Sequence, residues 1–129
     1  MSTAYWCILI AAVLPYPWTT IAKLSGKRFD NRDPRSWLAR QENPLTLRAH
    51  AAHLNAFEAF APFAAAVLMA QLAGVDPGRI TMLALAFIGF RILHGVLYIA
   101  GQHMMRSLAW AAGIACVLAL MIFAASAVQ

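Results

Sequence analysis

The chain has 129 residues, of which 62% are hydrophobic and only 12% charged, with a formal net charge of +5 and a mean hydropathy of +0.66. A water-soluble domain of this length cannot bury that share of apolar side chain, so a soluble fold is excluded. The composition predicts an all-α integral membrane protein assembled from apolar runs of about 20 residues, the length at which a helix crosses a bilayer core.

The first run covers about residues 3–24 (TAYWCILIAAVLPYPWTTIAKL). Pro15 and Pro17 each remove one helix hydrogen bond and are expected to kink it without preventing a span. A cleaved signal peptide is disfavoured because MSTAYW carries no basic residue and the apolar run leads straight into KLSGKR. A loop follows over residues 25–46, SGKRFDNRDPRSWLARQENPLT, too polar to span. Phe29, Trp37 and Leu38 among its arginines suggest that it lies along the lipid headgroups, either as the mouth of an anion site or as an anchor to acidic lipid.

The second run covers about residues 47–73, the third 80–100 and the fourth 107–128, joined by the short turns GVDPGR and GQHMMR. In lipid each backbone N–H and C=O must be satisfied within the segment, so all four runs are expected to be helices of a four-helix bundle. Around the first loop lie Lys23, Lys27, Arg28, Arg32, Arg35, Arg40 and Arg48 against Asp30, Asp33 and Glu42, a local net of +4. Basic residues are retained on the cytoplasmic side, which places this loop in the cytoplasm and both termini on the non-cytoplasmic side. In a bacterium the location would be the inner membrane.

The polar residues inside the runs are the informative ones, because a charged side chain at bilayer depth faces a partner or a wet cavity. On the second helix Arg48, Asn55 and Glu58 fall within about a quarter turn of one another. On the third, Arg91, His94 and Tyr98 are spaced i, i+3 and i+7 and share a face. The helices run antiparallel, with Glu58 ten residues past Arg48 and Arg91 ten residues before Gly101, so Glu58 and Arg91 are expected at one depth as a buried ion pair. Such polar residues can simply hold helices together. With His94, Tyr98 and Arg106 beside them they can instead wall a pocket of excess positive charge, suited to an anion.

The remaining reactive side chains carry less. Cys7 and Cys116 are expected at different depths, with neither disulfide nor metal or redox motif. His53 lies about 200° around the helix from Asn55 and, with His50, is assigned to interface or subunit packing. His103 is given no role. Trp6, Trp18, Trp37 and Trp110 are assigned to interface anchoring.

The run RAHAAHLNAFEAFAPF, with Asn55, Glu58, Pro62 and Phe63, together with Arg91-x-x-His94-x-x-x-Tyr98 and then Arg106, resembles the MAPEG family, membrane-associated proteins in eicosanoid and glutathione metabolism. The resemblance covers essentially the whole chain as one domain, residues 1–129. It implies a homotrimer in membrane lipid, with glutathione as co-substrate between subunits, held by Asn55, Glu58, His94, Tyr98 and, one turn further out, Arg48. Arg106 matches the arginine associated with activating the glutathione thiol, since a nearby guanidinium favours thiolate. The implied activity is a glutathione transferase or peroxidase acting on a lipophilic small molecule, with neither a metal nor a nucleic acid as partner.

The pattern departs from the family at Ala51 and Leu54, where catalytic members carry arginines. Arg48, Lys23 or Lys27 would have to substitute. A non-catalytic lipid-binding or scaffold protein is therefore the alternative. A small drug exporter also has four helices and one membrane glutamate, but such proteins place it in the first helix and leave it free to titrate.

Overall fold

The computed structural model describes residues 2–128; Met1 and Gln129 lie outside the described residues. The order is α1 (Ser2–Val13), α2 (Pro15–Ser25), α3 (Pro34–Ala39), α4 (Pro44–Leu72), α5 (Pro77–Ile99) and α6 (His103–Ala127), with no strand among the described residues. Four stretches are long and apolar enough to cross a membrane: Ser2–Ser25, Pro44–Leu72, Pro77–Ile99 and His103–Ala127. The shortest has 23 residues, about 35 Å at 1.5 Å per residue, which exceeds a hydrocarbon core of about 30 Å.

Prolines start these helices and glycines stop them. Pro15, Pro34, Pro44 and Pro77 each occupy a first helical position, and at Pro34, Pro44 and Pro77 the missing N–H would have had no helix partner in any case. Asp33, Asn43 and Asp76 precede three of them, and each side chain accepts a backbone N–H of the first turn, from Ser36, Leu45 and Arg79 respectively. Gly74 and Gly101 adopt φ of 76° and 74°, the left-handed conformation that closes a helix end. The matching bonds run from Val75 N–H to Ala70 O and from Gln102 N–H to Leu97 O, both 3.0 Å.

α1 and α2 form one span interrupted at Leu14, whose backbone remains helical (φ −55°, ψ −31°). Pro15 and Pro17 leave the carbonyls of Ala11 and Val13 without their helix donors. The interruption is bridged from outside: His53 Nδ1 of α4 lies 3.1 Å from Pro15 O.

α4 is the central element, packing on α1, α2, α5 and α6, and α5 lies along α6. The main apolar core sits toward the end of the bundle bearing the termini. Ala4, Cys7 and Ala11 of α1 meet Phe63, Ala66, Val67 and Ala70 of α4, and α5 and α6 add Phe87, Cys116 and Leu120 among others. Phe63 and Phe87 stack with centroids 3.9 Å apart, and the many alanines let helix backbones approach closely. A smaller core of Trp18, Ala52 and Ala56 lies toward the loop end.

Two tryptophans expected at the membrane interface are buried instead. Trp18, 8% exposed, fills the space left by the missing side chain of Gly95, where any Cβ would overlap its ring. Trp37, 5% exposed, is the core of the first loop. Its indole N–H is shared between the carbonyls of Lys27 (3.1 Å) and Arg28 (3.0 Å), and its ring meets Phe29 edge-on at 5.1 Å. Gln41 accepts from Lys27 N–H and donates to Trp37 O, while Asn43 donates to Ser25 O at 2.7 Å. On the loop surface, the Arg32 guanidinium pairs with Asp30 at 3.0 Å and lowers its carboxyl below the usual carboxylate range. The segment between α2 and α4 is thus a folded clasp.

Three outcomes are expected. Gly95→Ala forces Trp18 out of place and destabilises by about 1–3 kcal/mol, read as a lower midpoint of thermal unfolding in detergent. Gly89→Ala, at a glycine with open space around it, does not lower the midpoint. Trp37→Phe keeps the ring contact but loses both indole bonds, so limited trypsin digestion should cut the loop arginines faster while helix content by circular dichroism is unchanged.

Candidate functional site

Two adjoining cavities lie between α4, α5 and α6. The one nearer the loop end, of about 190 Å³, is lined by Asn55, His94, Tyr98, Arg106, Ser107 and Trp110. The deeper one, of about 170 Å³, includes Asn55, Glu58, Pro62, Phe87, Arg91 and Trp110 in its wall. Asn55 and Trp110 are common to both.

Of the residues singled out in the sequence, Asn55, Glu58, Arg91, His94, Tyr98 and Arg106 therefore come together here. Helical spacing explains their convergence. Asn55 and Glu58 are one turn apart on α4, and Arg91, His94 and Tyr98 occupy successive turns of one α5 face. The turn closed by Gly101 folds α6 back so that Arg106, in its first turn, covers Tyr98 with Cζ 4.1 Å from the ring centroid. His94 meets the same ring edge-on at 5.5 Å.

The ion pair expected between Glu58 and Arg91 is not formed. Arg91, 3% exposed, directs Nη2 to Asn55, donating to the side-chain Oδ1 at 2.6 Å and to the backbone O at 3.2 Å. Among the described residues the ion pair present is the one in the loop, between Arg32 and Asp30. Glu58 shares the deep cavity with Arg91, but its side chain is exposed on the surface of the chain. Matching depth did not ensure contact, because Asn55, one turn nearer the loop end, presents two oxygens to the guanidinium. The Arg91 stem lies over Gly113 of α6, where a Cβ would come within 3.5 Å of its Cδ.

Arg48 is not part of either cavity wall. It donates from Nε to Ile99 O at 3.0 Å, capping the C-terminal end of α5, where a cation also complements the helix dipole. Lys23 lies on another side of the molecule, over the Phe29 ring at 4.5 Å and beside a cavity of about 240 Å³ with Arg35, His50 and His53. Gly113, Ser107 and Trp110 were missed as site residues. Trp110 follows Arg106 by four residues and so shares its face, which is the signal that could have found it; a lone glycine beneath an arginine stem leaves no such trace.

The arrangement has two buried or half-buried guanidiniums, one carboxylate and a neutral polar wall, which suits an anion with hydrogen-bonding groups. The deep cavity adds an apolar wall of Ala59, Pro62, Phe87 and Ile114. Fold and site together define a multi-pass helical membrane protein with a polar cavity walled by three of its spans. The chain matches the MAPEG family over residues 3–126, and it belongs to that family of membrane-associated proteins in eicosanoid and glutathione metabolism. Comparison with curated proteins and with solved structures gives no match.

Asn55→Ala should leave the Arg91 side chain without its shortest bond, a loss of about 1–3 kcal/mol for a buried charged donor. Thermal unfolding in detergent should show a clear decrease for Asn55→Ala and a smaller one for Glu58→Gln, whose side chain is exposed.

Proposed function

We propose that the protein is a homotrimeric glutathione-dependent transferase or peroxidase acting on a lipophilic electrophile. The observation that carries this reading is the convergence of Asn55, His94, Tyr98 and Arg106 from three helices on one polar cavity. Membership of a glutathione-associated family supplies the ligand class. Glutathione brings two carboxylates and a thiol, which match a cavity with excess positive charge. Arg106 stabilises the thiolate, whose electron pair forms a bond to carbon of an apolar electrophile as its leaving group departs, or to the terminal oxygen of a lipid hydroperoxide as the O–O bond breaks, the lipid alcohol leaves and a second glutathione thiol converts the sulfenic acid to disulfide and water.

The exposed Glu58 supports completion of the site by a neighbouring copy, since a bare carboxylate in lipid is costly. Lys23, on another side of the molecule from the Asn55–Arg106 cavity, then serves a neighbour in place of the arginine absent at Ala51. The basic loop marks the cytoplasmic side in this reading, with both termini opposite.

A second reading, a non-catalytic lipid-binding or scaffold protein, is favoured by one observation: Arg48 caps α5 and is not available to replace the arginine missing at Ala51. Calorimetry with glutathione on the detergent-purified protein decides between them. The enzyme reading expects saturable binding, weakened about 10- to 100-fold by Glu58→Gln if the carboxylate forms a charged hydrogen bond with the ligand. Arg106→Ala should lower kcat about 100-fold or more with binding retained. Absence of binding by an intact oligomer selects the second reading.

A further inference from the structure

The cavity of about 240 Å³ between α2, the clasp and α4 plays no part in the reaction proposed above. Ala22, Phe29, Trp37 and Leu38 give it apolar walls, and Lys23 and Arg35 give it positive potential. Among the described residues no carboxylate lines it. The two aspartates of the clasp are engaged elsewhere, Asp30 with the Arg32 guanidinium at 3.0 Å and Asp33 with Ser36 N–H at 3.2 Å. The cavity sits where the spans end, since Lys23 is in the last turn of α2 and His50, also in its wall, is near the start of α4. That is the level of the lipid headgroups.

The wall continues toward the hydrocarbon as a row of rings. His53 meets Phe57 edge-on at 5.0 Å, and Phe57 meets Tyr16 of α2 edge-on at 6.0 Å. Phe57 and Tyr16 are exposed on the surface of the chain. Tyr16 lies seven residues before Lys23 on α2, about 10 Å further into the bilayer at 1.5 Å per residue. On α4, His53 and Phe57 lie about half a turn around from Asn55, so this row and the polar cavities occupy opposite flanks of the helix. Aromatic rings facing lipid are unexceptional singly. Here they run on from a cationic cavity.

We propose that this cavity binds the phosphate of an anionic phospholipid, with Arg35 as the principal phosphate ligand and one acyl chain lying along the row of His53, Phe57 and Tyr16. A guanidinium offers paired donors to phosphate oxygens, and Arg35 takes no part in the ion pair of the clasp. The apolar walls from Trp37 and Leu38 suit the glycerol and ester carbons beneath the phosphate. Lys23, which serves a neighbour in the reading above, is held over the Phe29 ring at 4.5 Å and contributes here through its potential. A zwitterionic phospholipid has the same phosphate but brings a second cation into a site that is already positive, so the site selects lipids of net negative charge. The bound lipid is a structural ligand that seats the clasp against α2 and α4.

The test titrates the full-length protein in detergent with phosphatidylglycerol, with phosphatidylcholine of the same chains and with inorganic phosphate, reading the thermal midpoint and the lipid retained in native mass spectrometry. Wild type is expected to retain phosphatidylglycerol saturably with a rise in midpoint, to bind phosphatidylcholine about tenfold more weakly or worse, and to show no shift with inorganic phosphate. Arg35→Gln should weaken phosphatidylglycerol binding about 10-fold or more, the value of one charged hydrogen bond, with its lipid-free midpoint unchanged. Phe57→Ala should weaken it severalfold, while Arg28→Gln, on the loop surface, should not. Equal response to the two lipids, or wild-type binding by Arg35→Gln, would overturn the proposal. An inorganic phosphate effect equal to that of phosphatidylglycerol would assign the site to a free anion instead of a lipid. A smaller oligomer in Phe57→Ala with phosphatidylglycerol binding intact would assign the row of rings to a neighbouring copy and overturn the lipid track.

Discussion

The hydrogen bonds from Arg91 to Asn55 are the constraint around which the bundle is arranged. A guanidinium in the middle of an apolar helix is tolerated only where its donors find oxygen and its stem finds surface to cover. Asn55 supplies the oxygens, and Gly113 leaves room for the stem. These requirements fix where α4, α5 and α6 face one another. The cavities occupy the same level because the polar side chains that cannot face lipid are gathered there.

The two cores follow from that polar layer. Toward the termini the contacts are apolar and close, with alanines, Cys7, Cys116 and the stacked pair of Phe63 and Phe87. Toward the loop end packing depends on Trp18 set against Gly95 and on the clasp built around Trp37. The polar layer separates regions stabilised in different ways, one by the fit of small side chains between helices and the other by large rings with satisfied polar groups.

Much of this was legible in the sequence because it obeys one-dimensional rules. Span lengths follow from bilayer thickness, and helix starts and stops from proline, Asx caps and glycine. The shared face of Arg91, His94 and Tyr98 follows from the helical repeat. What was not legible depends on which of several reachable partners a long side chain selects. Arg91 could reach either Glu58 or Asn55 by depth alone, and Arg48 lay on the polar stripe yet capped α5. Trp18 and Trp37 departed from expectation for a related reason: a preference for the interface is an average, and Gly95 offered Trp18 a buried berth that only the packed helices reveal. Trp110 was within reach of the helical rule but was counted with the other tryptophans.

Pro62 gives α4 a mechanical property. With no N–H at that position the carbonyl of Glu58 loses its helix donor, while one turn earlier the Asn55 carbonyl accepts from Arg91 of α5. The missing bond falls where α4 walls the cavities, between that tie and Phe63, which is stacked on Phe87. The compliant part of the 29-residue helix is therefore a short stretch held between two fixed points. An occupant of changing size can be accommodated by flexing that wall, with the alanine-rich core left undisturbed.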